Sequence, residues 1–294
     1  MNYYSNDINN RIISENARNL IQGSWDLHIH TWPSHFERKT SDIELIREMD
    51  EVGMAGGIIK THYEPTTGRA VLANEYAGGK AKLYGTVALN LTVGGINPFA
   101  CESAFKMGAR LIFMPTRDSK QHLSFGPSPD DFFEREGITI YDESGRIKPE
   151  VYDVLEVVRK YDAAIATGHL SPKESFDFCK LSRSMGIKTV LTHPDWVRTN
   201  VPLDMQIELA SIGVKIEKVY QMVSMGYISP ESYVNTMRKL GAENVVLSTD
   251  SAFVKEPSVT EANLLQIQLL LDSGFRDSEI RMMSKVNSEY LLGI

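Results

Sequence analysis

Eight short β-branched or aliphatic runs, separated by helix-forming segments, constrain this chain more than any other feature. They are Ser24 to His30, Gly57 to Tyr63, Lys82 to Asn90, Ala109 to Pro115, Ala163 to His169, Lys188 to Pro194, Val214 to Lys218 and Asn244 to Asp250. With their ends taken at residues 30, 62, 90, 115, 169, 193, 217 and 250, six of the seven gaps are 24 to 33 residues, room for one strand and one helix. Such alternation calls for parallel strands with crossover helices. Eight units favour a closed (β/α)8 TIM barrel over an open doubly wound sheet, which usually has about five or six strands.

Helix signals fill the gaps. Ser41 to Val52 has Ser41 or Asp42 as N-cap, and Pro98 to Met107 and Pro149 to Tyr161 open on proline. Ser171 to Met185 and Ser229 to Leu240 carry Pro172 and Pro230 at their first helical positions. Gly53, Gly108, Gly186 and Gly241 follow helices, where a left-handed residue ends them. A length of 294 residues leaves room for two domains at about 150 residues each. A barrel of about 250 residues accounts for it as one domain, 1–294. Residues 1–23 are then a helical extension, with a helix over Asn9 to Gln22. The single 54-residue gap is an insertion over 117–148, whose second half makes two extended pieces around a turn at Asp142 to Gly145. A βα loop lies over the barrel mouth, so the insertion is either a lid or an inert excursion.

Charge and composition narrow the partners. Thirty-one Lys and Arg against 38 Asp and Glu give a net charge of -7 with no basic run, which argues against nucleic acid and for a small-molecule substrate. The first twenty residues lack the apolar core of a signal peptide, and no apolar run reaches the roughly 18 residues of a membrane span. A cytoplasmic protein with no membrane partner is expected. Cys101 and Cys179 are too few and too far apart for a disulfide framework or a thiolate metal motif.

Polar residues collect where strands end. Asp26, His28 and His30 alternate with Leu27 and Ile29, which puts both histidines on one face of the first strand. His169, His193 and Asp250 end the fifth, sixth and eighth runs. Barrels converge their functional groups at these ends. Imidazoles with one carboxylate make a donor set suited to a divalent metal, Zn first, with Mn, Fe or Ni as alternatives. A lone HxH carries little, but four of seven histidines plus an Asp at the ends of four strands are not expected of purely structural residues.

These residues resemble the amidohydrolase superfamily of metal-dependent hydrolases. The likeness rests on Asp26-Leu27-His28-Ile29-His30, Thr167-Gly168-His169, Thr192-His193-Pro194 and Ser248-Thr249-Asp250, and extends to the segment before the eighth strand and to the C-terminal helix. It implies that His28, His30 and Asp250 bind the more buried metal. His169 would complete a mononuclear site while His193 polarises the substrate oxygen, or His169 and His193 would hold a second ion. Binuclear relatives bridge their ions through a carboxylated Lys or a Glu at the end of strand four; here that strand ends Phe113-Met114-Pro115-Thr116. The resemblance also implies frequent homo-oligomers, and hydrolysis of an amide, cyclic amide, lactone or related C–N or C–O bond, with Asp250 and His193 catalytic. Non-oxidative decarboxylation is a second reading, and an inactive scaffold barrel a third.

Lys60 shares a face with His62 on the second run. An ammonium aimed into an apolar interior is costly unless paired or modified. Lys60 therefore anchors a substrate carboxylate, or is carboxylated and bridges metals, or points outward in a shifted register. Weaker substrate contacts are His62, Arg117 and Trp32, with Glu217 and Tyr220 beside them. Arg117 has a simpler role in pairing with Asp118, His35 and His122 read as loop decoration, and Met282 and Met283 as core.

Overall fold

The computed structural model describes residues 8–126, 132–251 and 253–294. Its strands follow the eight runs in order: β1 Trp25–Ile29, β2 Gly56–Ile59, β3 Lys82–Gly85, β4 Leu111–Phe113, β5 Ala164–Ala166, β6 Lys188–Leu191, β7 Lys215–Val219 and β8 Val245–Ser248. All paired neighbours are parallel, in the orders β1-β2-β3 and β4-β5-β6-β7-β8. Backbone hydrogen bonds join the two groups at both seams. Phe113 N–H donates to Val87 O and Leu89 N–H to Phe113 O, while Asp250 N–H donates to His28 O and His30 N–H to Ser251 O. The result is a TIM-barrel ring of eight parallel strands.

The helices start where their caps say they should. Ser41 and Ser171 each close a capping box, with Glu44 and Glu174, on helices Asp42–Val52 and Pro172–Ser184. Pro98, Pro149 and Pro230 open their helices, and Gly53 ends one with φ 79°. Trp25, Leu27, Ile58, Phe113, Ala164, Val190 and Val246 pack together inside the ring, and a larger apolar layer lies between the strands and the outer helices. Met283 is fully buried in that layer. Cys101 and Cys179 are free thiols in the core. No helix among the described residues is long and apolar enough to cross a membrane.

Three sequence expectations change. The leading helix is interrupted: residues 8 and 9 are helical, 11–14 are not, and a separate helix covers Glu15–Leu20, because Ser14 is extended and its hydroxyl accepts from Ala17 N–H, which starts the helix there. The third strand stops at Gly85, not Asn90: Thr86 N–H is diverted to Thr66 Oγ1, at 2.8 Å. In β1 the period of two is broken. Asp26 pairs with Gly57 and Ile29 with Ile59, so Leu27 and His28 together oppose Ile58, a bulge. Leu27 and His28 both face inward, and Asp26 turns to Thr249 and Asn263.

The described part of the insertion has the expected hairpin, with Tyr141 bridged antiparallel to Ile147 around the Asp142 turn. Ser119 pairs with Ile138, and a short helix spans Lys120–Leu123. Residues 127–131 of the insertion and 1–7 of the extension lie outside the described residues.

Candidate metal centre

Six of the seven histidines form one cluster at the C-terminal ends of the strands. The His28 ring lies 5.5 Å from His30 and 5.6 Å from His193, the His62 ring 5.1 Å from His30 and 5.7 Å from His169, and His169 5.1 Å from His193. His35 stays outside, half-exposed and beside Glu64. Local backbone devices bring these rings together. Gly168 has φ 60°, and a Cβ there would lie 2.4 Å from Met114 O. Only glycine lets the chain turn against β4 so that His169 N–H reaches Pro115 O. His193 and Asp250 themselves adopt positive φ, 23° and 52°. Such strain in residues with side chains persists where the surrounding structure over-determines it, and it concentrates at functional sites.

Two imidazoles converge on one oxygen. His28 Nε2 and His30 Nε2 lie 3.2 and 3.1 Å from Asp250 Oδ1. On the far side, His28 Nδ1 is 3.2 Å from each Glu217 carboxylate oxygen. A carboxylate accepts, so His28 carries its proton on Nδ1 and presents a bare Nε2 lone pair to Asp250. That lone pair meets the Lys60 ammonium at 3.0 Å, and a divalent cation held between the two Nε2 atoms and the Asp250 oxygen would take the place of that contact. Donors about 2.1 Å from one ion stand roughly 3 Å apart, the spacing of each Nε2 from the Asp250 oxygen, and all three ligand atoms lie within 4.8 Å of one another. His28, His30 and Asp250 are the only group of three or more metal-type donors among the described residues with this convergence.

The electrostatics suit a neutral imidazole set. Burial holds His28 and His193 down to about 3, and burial followed by the charges of Arg38, Lys60 and Arg117 holds His30 well below its ordinary range. His62 and His169 are lowered too, first by burial. Burial raises Asp250 and Glu217, opposed by nearby His and Lys charge.

Lys60 is buried and points inward, so the outward register does not occur. Its Nζ donates to His28 Nε2 at 3.0 Å and lies 4.9 Å from the Phe113 ring centroid. His62 lies just beyond β2, its Nδ1 3.0 Å from Thr116 Oγ1. Arg117 does not pair with Asp118, which is taken by Arg135; its guanidinium stacks 4.1 Å over Phe36. Trp32 is 58% exposed on the loop after β1, and the Tyr220 hydroxyl turns away toward Ile8 and Asn9.

Other residues complete the cluster. Contrary to its reading as loop decoration, His122 is buried, with Nδ1 2.9 Å from His169 Nδ1. Ser119 links the pair: its hydroxyl accepts from His122 N–H and donates to His169 O. The Trp196 ring packs 5.1 Å from His169 and 5.2 Å from His193. Asn90 ties three strand ends, donating to His62 O and Thr116 Oγ1 and accepting from Thr116 N–H. Glu217 also accepts from His193 N–H at 3.0 Å, holding two cluster residues with one carboxylate. Ser119 at a helix start was the available signal for His122; nothing local marks Asn90 or Trp196.

The sequence profile of DUF6282, a family of unknown function, matches residues 23–217. The chain belongs to that family. No curated protein matches it in sequence. This DUF6282 protein shares its fold with solved amidohydrolase-superfamily structures at low identity. An amidohydrolase from Pseudomonas aeruginosa superposes with TM-score 0.62 at 12% identity, covering 95% of this chain and 97% of the other. The metallopeptidase dipeptidase AC, of family M19, gives 0.63 at 14% identity, covering 92% and 98%. A 2,6-dihydroxybenzoate decarboxylase from Rhizobium gives 0.54 at 14%, covering 92% and 99%.

Proposed function

We propose that this protein is a metal-dependent hydrolase of a small molecule, cleaving an amide, cyclic amide, lactone or related C–N or C–O bond. The observation that carries the reading is the pair of imidazole Nε2 atoms at 3.2 and 3.1 Å from one Asp250 oxygen. His28, His30 and Asp250 would hold a divalent ion, with zinc the first candidate for an N/O donor set of this kind. When bound, such an ion supplies Lewis acidity and a nucleophilic water near neutral pH.

The protein's own groups do the rest. Glu217 fixes the His28 tautomer and ring orientation. The Asp250 carboxylate, made more basic by burial, is suited to take a proton and return it to the leaving group. His193, whose buried Nδ1 has no partner, would polarise the substrate oxygen, while His169 stands next to it for a second ion or for substrate. The apolar rings of Phe113 and Trp196 keep water from the buried imidazoles.

Metal analysis of the purified full-length chain tests the reading. At least one divalent ion per chain is expected, lost together with activity toward a panel of amides and lactones in His28→Ala and in Asp250→Asn. A chain that takes up no stoichiometric ion from Zn, Mn, Fe or Ni, and whose properties Asp250→Asn leaves unchanged, would be a scaffold barrel. One observation favours a second reading, non-oxidative decarboxylation: the buried Lys60 ammonium beside the cluster is suited to a carboxylate. Carbon dioxide release from a screened carboxylic acid, without a hydrolytic product, would select it.

A further inference from the structure

We propose that the site takes an anionic substrate, whose carboxylate or phosphate group is held by Lys60 and Arg117 beside the imidazole cluster. The proposal rests on the reading of this cluster as a small-molecule site.

Lys60 is 1% exposed, yet it forms no ion pair within 4 Å among the described residues. One of its three N–H donors meets His28 Nε2, and the Phe113 ring gives a further contact; the other donors await an acceptor. A buried ammonium so placed is costly unless a ligand pairs with it. Arg117 repeats the pattern. Its neighbouring carboxylate, Asp118, is held by Arg135 and by Leu91 N–H at 2.7 Å, and the buried Arg117 Nη1 has no partner. Stacking on Phe36 holds the guanidinium as a flat fork, the geometry that fits a carboxylate or phosphate edge.

Both cations flank His62: Lys60 stands two residues before it on the chain, and Arg117 follows Thr116, whose hydroxyl lies 3.0 Å from His62 Nδ1. The anionic groups nearby are already engaged. Glu217 is shared between His28 and the His193 N–H, and Asp250 between two imidazoles. Lys60 and Arg117 thus stand beside the buried imidazoles with no carboxylate among the described residues in ion-pair contact with either, in a chain whose net charge is -7. A neutral amide or lactone alone leaves both cations unpaired; one bearing an anionic arm does not.

Calorimetric titration of chelator-treated full-length protein with inorganic phosphate, succinate and the neutral succinamide tests this apart from metal binding. Saturable binding of at least one anion is expected, with none of succinamide, and the tighter anion names the group. Arg117→Gln and Lys60→Met should each weaken it at least tenfold, and Arg117→Lys should recover part of the loss. Unchanged far-UV circular dichroism would show that the variants fold. Absence of binding by both anions, or wild-type affinity in both Arg117→Gln and Lys60→Met, would overturn the proposal. Anion binding by a chain that takes up no divalent ion would leave the proposal standing and remove the metal-dependent reading.

Discussion

Glu217 grips His28 from behind: both carboxylate oxygens lie 3.2 Å from Nδ1, and one also accepts the His193 backbone N–H. A carboxylate behind a ligating imidazole fixes its tautomer and raises its basicity, and losing one typically costs about 10- to 100-fold in metal affinity. Glu217→Gln keeps the volume but removes the charge. Competition with a chromophoric chelator should show divalent-metal affinity falling by about that factor. Unchanged affinity would remove Glu217 from the supporting role.

Asp26 has a structural part to play. Its Oδ1 accepts from His28 N–H and Thr249 N–H, and its Oδ2 from Thr249 Oγ1 and Asn263 Nδ2, so it ties β1 to the end of β8 and to helix Val259–Asp272. Asp26→Ala strands several buried donors and should destabilise the fold by about 3–5 kcal/mol in urea unfolding. Asp26→Asn retains one acceptor and should cost roughly half as much. Equal losses for the two would contradict this account.

Lys218 is fully buried on β7 and points away from the site, with Nζ 2.7 and 2.9 Å from the Asp195 carboxylate and 3.1 Å from Gln206 Oε1. Burial lowers its pKa, and Asp195 opposes that shift. Asp195→Ala leaves the charge nearly alone in the core and should cost about 3–5 kcal/mol. The pair Asp195→Leu with Lys218→Met should recover most of that stability, because the desolvation penalty goes with the charges. Additive losses in the double variant would show that packing, not charge, dominates.

Acid should unfold the chelator-treated protein early. His28 and His193 titrate near 3 when folded against about 6.5 when unfolded, and His30, His62 and His169 shift the same way. Between those values the unfolded chain binds more protons, so stability falls as pH drops through that window. Asp26, raised to about 6, and Glu217 and Asp250, also raised, act in the opposite sense above the ordinary carboxylate range. Five imidazoles outnumber three carboxyls. The urea midpoint should therefore fall steadily from pH 6.5 to 4, and a midpoint that rises over that range would reverse the sign.

The order and spacing of the eight strands, the helix caps at Ser41 and Ser171, and the placing of His28, His30, His169, His193 and Asp250 at strand ends are legible in the sequence. These depend on short-range periodicity, on capping chemistry and on the right-handed crossovers of parallel strands joined by helices. What stands opposite a given strand end depends on strand registry and on side chains far apart in the chain, which local patterns do not encode. The bulge that turns Asp26 toward Asn263, the Glu217 carboxylate behind His28, the capture of Asp118 by Arg135 and the burial of His122 against His169 each join residues 17 to 237 positions apart. Periodicity put imidazoles and an aspartate at the barrel mouth, but only the closed ring brought two of those imidazoles onto one oxygen.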